Sequence, residues 1–187
     1  MQAIFAPLAW FVASLSIDPG WFLLGFTTML LVYRGAITGQ IPLYLSNAVT
    51  ANAIAQLATE NPATHFIDLG AGIGSVLRAV SKAQPGAHLT GVENAPATWL
   101  VGYLLTIGRT NCNWQWGDLW GVNLEEYDVV YAFLSPAPMA ELWKKAQREM
   151  RPGTLLISNS FAVPGVRPSQ VVEVDDSRRT SLYCYRL

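Results

Sequence analysis

Residues 66–74 read Phe-Ile-Asp-Leu-Gly-Ala-Gly-Ile-Gly, and this stretch decides the fold. An apolar pair leads into an acid, and three glycines alternate after it. Glu93 follows, in Leu89-Thr90-Gly91-Val92-Glu93, at the end of the next apolar run. Strand, glycine loop, helix, strand and terminal acid are the parts of a nucleoside-binding α/β unit.

The pattern extends outward from that unit. Asn47–Ala58 reads as a helix capped by Ser46, with Val49, Ala53, Ile54 and Leu57 on one stripe, and Asn61-Pro62 ends it. His65–Leu69 is strand 1, Ser75–Ala83 a helix, His88–Glu93 strand 2, Ala97–Ile107 a helix and Asn113–Trp116 strand 3. Tyr127–Leu134 is an apolar run of the kind buried on both faces of a sheet. Pro138–Met150 is a helix with Met139, Leu142, Trp143, Ala146 and Met150 turned to the core, and Thr154–Asn159 is strand 5. Gln170–Asp175 and Leu182–Leu187 read as a closing hairpin. Alternating strands and helices imply a parallel sheet with right-handed crossovers, and the hairpin adds an antiparallel edge.

Composition bounds the partners. The net charge is −1, so no global field draws the chain to nucleic acid. Charged residues are only 13%, against roughly 25% in an ordinary soluble domain. The deficit is concentrated at one end: residues 1–33 hold Asp18 and no Lys or Arg. The natural division is an apolar helical segment over 1–38 and a catalytic domain over 39–187. Cys112 and Cys184 match no metal spacing and suit a reduced, intracellular compartment. His65 and His88 belong to no triad or ligand set and read as structural or surface residues. No metal site is expected.

The apolar segment breaks at Asp18-Pro19-Gly20 into arms of 1–17 and 21–33, the second extendable through Ile37. A bilayer span needs about 20 apolar residues. One straight span would bury Asp18 near its centre and strain its helix at Pro19. A hairpin or interfacial anchor fits better. The arms can equally cover an apolar face of the catalytic domain or of a partner chain. A secretory signal is not expected, because the positive n-region is missing. Arg34 after the second arm places the catalytic domain on the cytoplasmic side.

The chemistry-bearing residues narrow the ligand. Gly70, Gly72 and Gly74 allow close backbone approach. The NAD-type fingerprint would put its third glycine at residue 75, which is Ser75. Asp68 would repel a pyrophosphate, but suits a cationic amino-acid moiety. S-adenosyl-L-methionine (SAM) carries an ammonium and a sulfonium and has no phosphate. Glu93 can accept both ribose hydroxyls. Asp118, followed by Leu119, can accept from the adenine amino group or serve as a turn residue. Asn94 is a further candidate contact or a loop cap. Trp120, Tyr131, Phe133, Ser135 and Phe161 are candidate walls of an acceptor channel, and simple packing accounts for each aromatic equally well.

Six segments in order carry a family resemblance: Ile41-Pro42, Asp68–Gly74, Asp118-Leu119-Trp120, Phe133–Met139, Ser160–Gly165 and Leu182–Arg186. Over residues 41–187 the chain resembles a class I, seven-strand SAM-dependent methyltransferase. More narrowly, it resembles the family of the ATP synthase c-subunit lysine N-methyltransferase and its short prokaryotic relatives. The resemblance implies a Rossmann-like sheet, mostly parallel with an antiparallel C-terminal hairpin, with SAM as cofactor. It implies a protein lysine as acceptor, on a membrane protein. That family usually carries Asp-Gly-Arg after the second glycine, where this chain has Ile73-Gly74-Ser75. A small-molecule or lipid methyltransferase, and a non-catalytic SAM-binding module, are the alternatives.

Overall fold

A computed structural model of the chain describes residues 18–37, 46–61 and 64–187, with side chains described outside 30–37. The first apolar arm, the Ile41-Pro42 segment and the division near residue 38 lie outside the described residues. The elements, in order, are α1 (Pro19–Ile37), α2 (Ala48–Glu60), β1 (His65–Leu69), α3 (Ser75–Ala83), β2 (His88–Glu93), α4 (Pro96–Leu105), β3 (Cys112–Trp116), a 3-10 turn (Leu119–Gly121), β4 (Val129–Ala132), α5 (Met139–Glu149), β5 (Leu155–Asn159), β6 (Gln170–Glu173) and β7 (Ser181–Arg186).

The seven strands form one sheet in the order β3-β2-β1-β4-β5-β7-β6. Five are parallel, and β7 runs antiparallel to both β5 and β6. This is the Rossmann-like sheet with its closing hairpin. The strand order reverses between β1 and β4, so a crevice opens at their carboxyl ends. Asp68 and Tyr131 lie side by side there in register.

Alternation along β1 sorts the two cores. Phe66 joins Ile54, Leu77, Val80, Leu89 and Ile157 on one face, while Ile67 and Leu69 join Val130, Met139, Leu142 and Leu156 on the other. Both faces of the central strands are therefore sealed.

Two details of α2 differ from the sequence reading. Asn47, rather than Ser46, caps it, its side chain accepting from the Thr50 amide at 2.9 Å. The buried stripe runs through Thr50, Ala51, Ile54, Ala55, Leu57 and Ala58, leaving Val49 exposed. Asp176 explains the shift. Its carboxylate accepts from Asn47 and Thr50 as well as Thr180, which ties the start of α2 to the β6–β7 turn and sets the helix's rotation.

Strand 4 is shorter than its apolar run. The Tyr127 amide donates to Leu124 in a turn, and the Asp128 carboxylate is taken by Thr64, His65 and Arg151. Asp128, Arg151, Arg186, Glu60 and Asn61 line a polar depression of about 520 Å³ at the amino edge of the sheet, opposite the crevice. Arg151 is paired with Asp128 there, and Arg186 with Asn61. The His65 and His88 rings stack at 5.2 Å on the same amino edge, away from the glycine loop.

Trp114 of β3 locks α4 to the sheet. Its indole N–H donates to Thr106 Oγ1 at 2.7 Å, and its ring fills the space left by two glycines. A Cβ on Gly102 would overlap the ring outright, and one on Gly74 would sit 2.8 Å from it. Gly102→Ala should therefore cost about 2–3 kcal/mol, lowering Tm by roughly 4–12 °C in a chain of this size. Adding Trp114→Phe should recover much of that loss in a thermal-melt double-mutant cycle. Additive losses would show that the indole is not what Gly102 accommodates.

Candidate cofactor site

The glycine loop is held open by its backbone. Gly70, Gly72 and Gly74 have φ of 83°, 55° and 73°, all in the left-handed region that side chains resist. The loop is also clamped to β2. The Gly70 and Ala71 amides both donate to the Val92 carbonyl at 2.9 Å.

Glu93 completes the clamp. One carboxylate oxygen accepts from the Gly72 amide and the other from the Ala95 amide, each at 2.9 Å. The side chain is buried. A carboxylate oxygen has two lone-pair directions, so each keeps one for a ligand hydroxyl. The residue expected to bind a ribose is thus also the staple that shapes the loop.

Asp68 is 2% exposed. Burial, and then the Glu93 charge, hold its carboxyl well above the usual carboxylate range. A carboxyl desolvated in this way at a crevice is matched by a cation, and a neighbouring diol acceptor is matched by a ribose. The donor and acceptor set therefore fits SAM: Asp68 would hold its amino-acid end and Glu93 its sugar.

Four strands, β2 to β5, deliver the remaining residues to the same carboxyl edge. After β3, Asp118 is exposed and caps the 3-10 turn by accepting from the Trp120 amide at 3.1 Å. Its turn role is thus present in the structure, and the carboxylate remains open to solvent. Leu119 is half-buried against the second core, and Trp120 is partly exposed. The buried Lys145 ammonium fixes this turn by donating to the Trp120 carbonyl at 3.2 Å and to Glu149 at 2.6 Å. Asn94 follows Glu93, and its carbonyl accepts from the Trp116 indole at 3.1 Å. Phe133 and Ser135 follow β4, and Phe161 follows β5; all three are half-buried.

Tyr131 does not present a ring to an open channel. It is fully buried, and its hydroxyl bonds Ser46 at 2.8 Å and receives the Asn159 amide at 2.9 Å. The Ser160 hydroxyl in turn donates to the Asn159 side-chain oxygen Oδ1 at 2.7 Å. Burial, and then the Asp68 charge, push the Tyr131 phenol up, so it stays neutral. Ser160 is one of two non-glycine residues with positive φ among the described residues, at 64°. Strain of this kind gathers at functional sites. Sequence reading missed Ser46, Asn159 and Ser160 as a unit. The positive φ at a strand exit leaves no signature in a Ser, and Ser46 lies far from the others along the chain.

Residues 68–170, more than half of the chain, match the ANTKMT methyltransferase domain. The chain belongs to that family. Among curated relatives, the adenine nucleotide translocase lysine N-methyltransferase of Mus musculus is 30% identical over 142 residues, covering 71% of this chain and 58% of that protein. The human ATP synthase c-subunit lysine N-methyltransferase is 29% identical over 111 residues, covering 57% of this chain and 46% of that protein. This family member thus spans about half the length of the curated relatives it matches. A crystal structure of an RNA methyltransferase from Salinibacter ruber, in complex with S-adenosyl-L-homocysteine, shares the fold. Its TM-score is 0.66 at 22% identity, covering 76% of this chain and 93% of that one.

Proposed function

We propose that the chain is a SAM-dependent protein-lysine N-methyltransferase, acting on a membrane protein from the cytoplasmic face. The observation that carries the reading is the pairing of a desolvated Asp68 with a glycine loop stapled by Glu93, at the mouth of one crevice. Family membership supports methyl transfer, and the curated relatives named as lysine N-methyltransferases support a protein lysine as acceptor.

When bound, SAM supplies a methyl group on a cationic sulfur. The protein's own residues orient and desolvate. Asp68 takes the ammonium, directly or through water, and Glu93 takes the ribose hydroxyls. A lysine acceptor must shed its proton, against a reference pKa of about 10.4. A mouth walled by Trp120, Phe133 and Phe161 excludes water and favours the neutral amine. The neutral Tyr131 hydroxyl, held by Ser46 and Asn159, does not act as a phenolate base.

Membrane association through residues 1–33 is part of this proposal, as is the division into an apolar segment and a catalytic domain. Residues 1–33 lack any Lys or Arg, and the described side chains of α1, from Pro19 to Met29, are exposed although largely apolar. Among the described residues no helix is long and apolar enough to cross a membrane.

Incubating the purified full chain and radiolabelled SAM with membranes that lack the enzyme tests the function. Label on a lysine of a membrane protein, mapped by mass spectrometry, is the expected result. Label in the organic extract would instead indicate a lipid or small-molecule acceptor. SAM binding without turnover would indicate a binding module, and no SAM binding would sink the reading.

A further inference from the structure

We infer that the outer face of α4 is a lipid-contact surface that seats the catalytic domain on an anionic bilayer. The helix sequence, Pro-Ala-Thr-Trp-Leu-Val-Gly-Tyr-Leu-Leu, contains no charge. Its inner face is small and partly polar: Thr98, Gly102 and the adjoining Thr106 are buried, the last two against Trp114. Its bulky residues point the other way. Leu100, Val101, Tyr103, Leu104, Leu105 and Ile107 are all exposed, Leu104 by 54% and Ile107 by 65%. A helix at a water-facing surface shows the reverse pattern, and a contiguous apolar patch of this kind marks an interaction surface.

The charges around the patch select its occupant. Between residues 69 and 117 the only acid is Glu93, and it is buried against two amides. The same stretch carries Arg78, Lys82 and Arg109. Arg109 follows the end of α4 and bonds Ser81 on α3, beside Arg78 and one residue from Lys82. Within residues 69–117 an apolar band thus meets a rim of cations with no exposed acid, and the exposed acids Asp18 and Asp118 stand at its outer borders, next to Trp21 and Trp116 in the chain. A second copy docked about a twofold axis would set the patch against itself and oppose like charges. A bilayer with anionic headgroups accepts both parts, hydrocarbon for the leucines and headgroup charge for the cations. The neighbouring elements continue the surface. α1 lies against α4 and exposes Trp21, Phe22, Leu23, Leu24 and Phe26, and Trp116 on the edge strand is exposed as well. Aromatic side chains of this kind favour the interfacial layer.

This inference extends the membrane reading from the N-terminal segment to the catalytic domain, and the two can fail separately. The full chain would be mixed with phosphatidylcholine vesicles, with or without phosphatidylglycerol, each doped with a photoactivatable phospholipid. Cross-linked peptides covering residues 99–107 are expected, rising about fivefold or more when the anionic lipid is present. Leu104→Glu with Leu105→Glu should lower vesicle cosedimentation about tenfold or more. The same double variant should leave S-adenosyl-L-homocysteine affinity unchanged, since both side chains face out. Cross-links confined to residues 1–37 would overturn the inference and keep an N-terminal anchor. No cross-links anywhere would overturn both. A lipid-free dimer dissociated by the double variant would assign the face to self-association instead.

Discussion

Replacing Asp68 with asparagine should weaken S-adenosyl-L-homocysteine binding about thirtyfold or more and leave the unliganded protein at least as stable. The two effects have one cause. Burial and Glu93 raise the Asp68 pKa in the folded chain. The folded state then holds this proton more tightly than the unfolded state does. Stability from the group is fully present below the ordinary carboxylate pKa and declines as pH rises from there through the raised folded value. Asparagine has nearly the same shape and no charge to desolvate, so this decline should vanish. The ligand ammonium, however, gains only from an ionised partner. Removing one member of a buried charge pair costs about 2–5 kcal/mol, which corresponds to a loss of roughly thirty- to several-thousandfold in Kd. Calorimetric titration and thermal melts of both proteins across pH check the two halves. Wild-type affinity should rise with pH as Asp68 ionises, and that slope should be missing in the variant. An unchanged Kd would remove Asp68 from the site.

Glu93→Ala should damage folding and binding together. It leaves the buried Gly72 and Ala95 amides without their carboxylate and frees a loop whose glycines sit in the left-handed region. Hydrogen bonds to a charged group contribute about 1.5–3 kcal/mol each, so a total loss of about 3–6 kcal/mol of stability is expected. Glu93→Gln separates the roles. Its amide oxygen can keep one loop bond, while its NH2 group opposes a second N–H donor. Gln should therefore recover part of the stability and little of the ribose affinity. Equal affinities for Glu93→Gln and wild type would leave Glu93 as a staple only.

The legible parts of the molecule are those with short-range rules. β1, β2 and α3 have the bounds expected from sequence, because the glycine loop fixes where a strand must end and a helix begin. The apolar run around β4 is longer than the strand, because hydrophobicity reports burial, whereas a ladder needs free amides. At the start of the run the Tyr127 amide turns to the Leu124 carbonyl, and only from Asp128, whose amide donates to His65 on β1, does the chain join its neighbours. The rotation of α2 follows Asp176, well over a hundred residues away in the chain, and no local pattern encodes that. The site divides in the same way. Asp68, the glycines and Glu93 stand at fixed spacing, while the polar chain through Ser46, Tyr131, Asn159 and Ser160 is assembled from three separate segments. Tyr131 reads as a wall because sequence shows a ring and not the hydroxyl's partners.

The placement of Trp114 has a mechanical consequence. One flat ring touches the space at Gly102 on α4 and the space at Gly74 on the glycine loop, and it is pinned by Thr106. It acts as a shim between an outward-facing helix and the loop. Any tilt or slide of α4 against the sheet must carry the indole with it, and no slack separates the indole from Gly74 to absorb the motion. Pressure on the outside of the molecule is thus transmitted to the loop through the thickness of a single side chain.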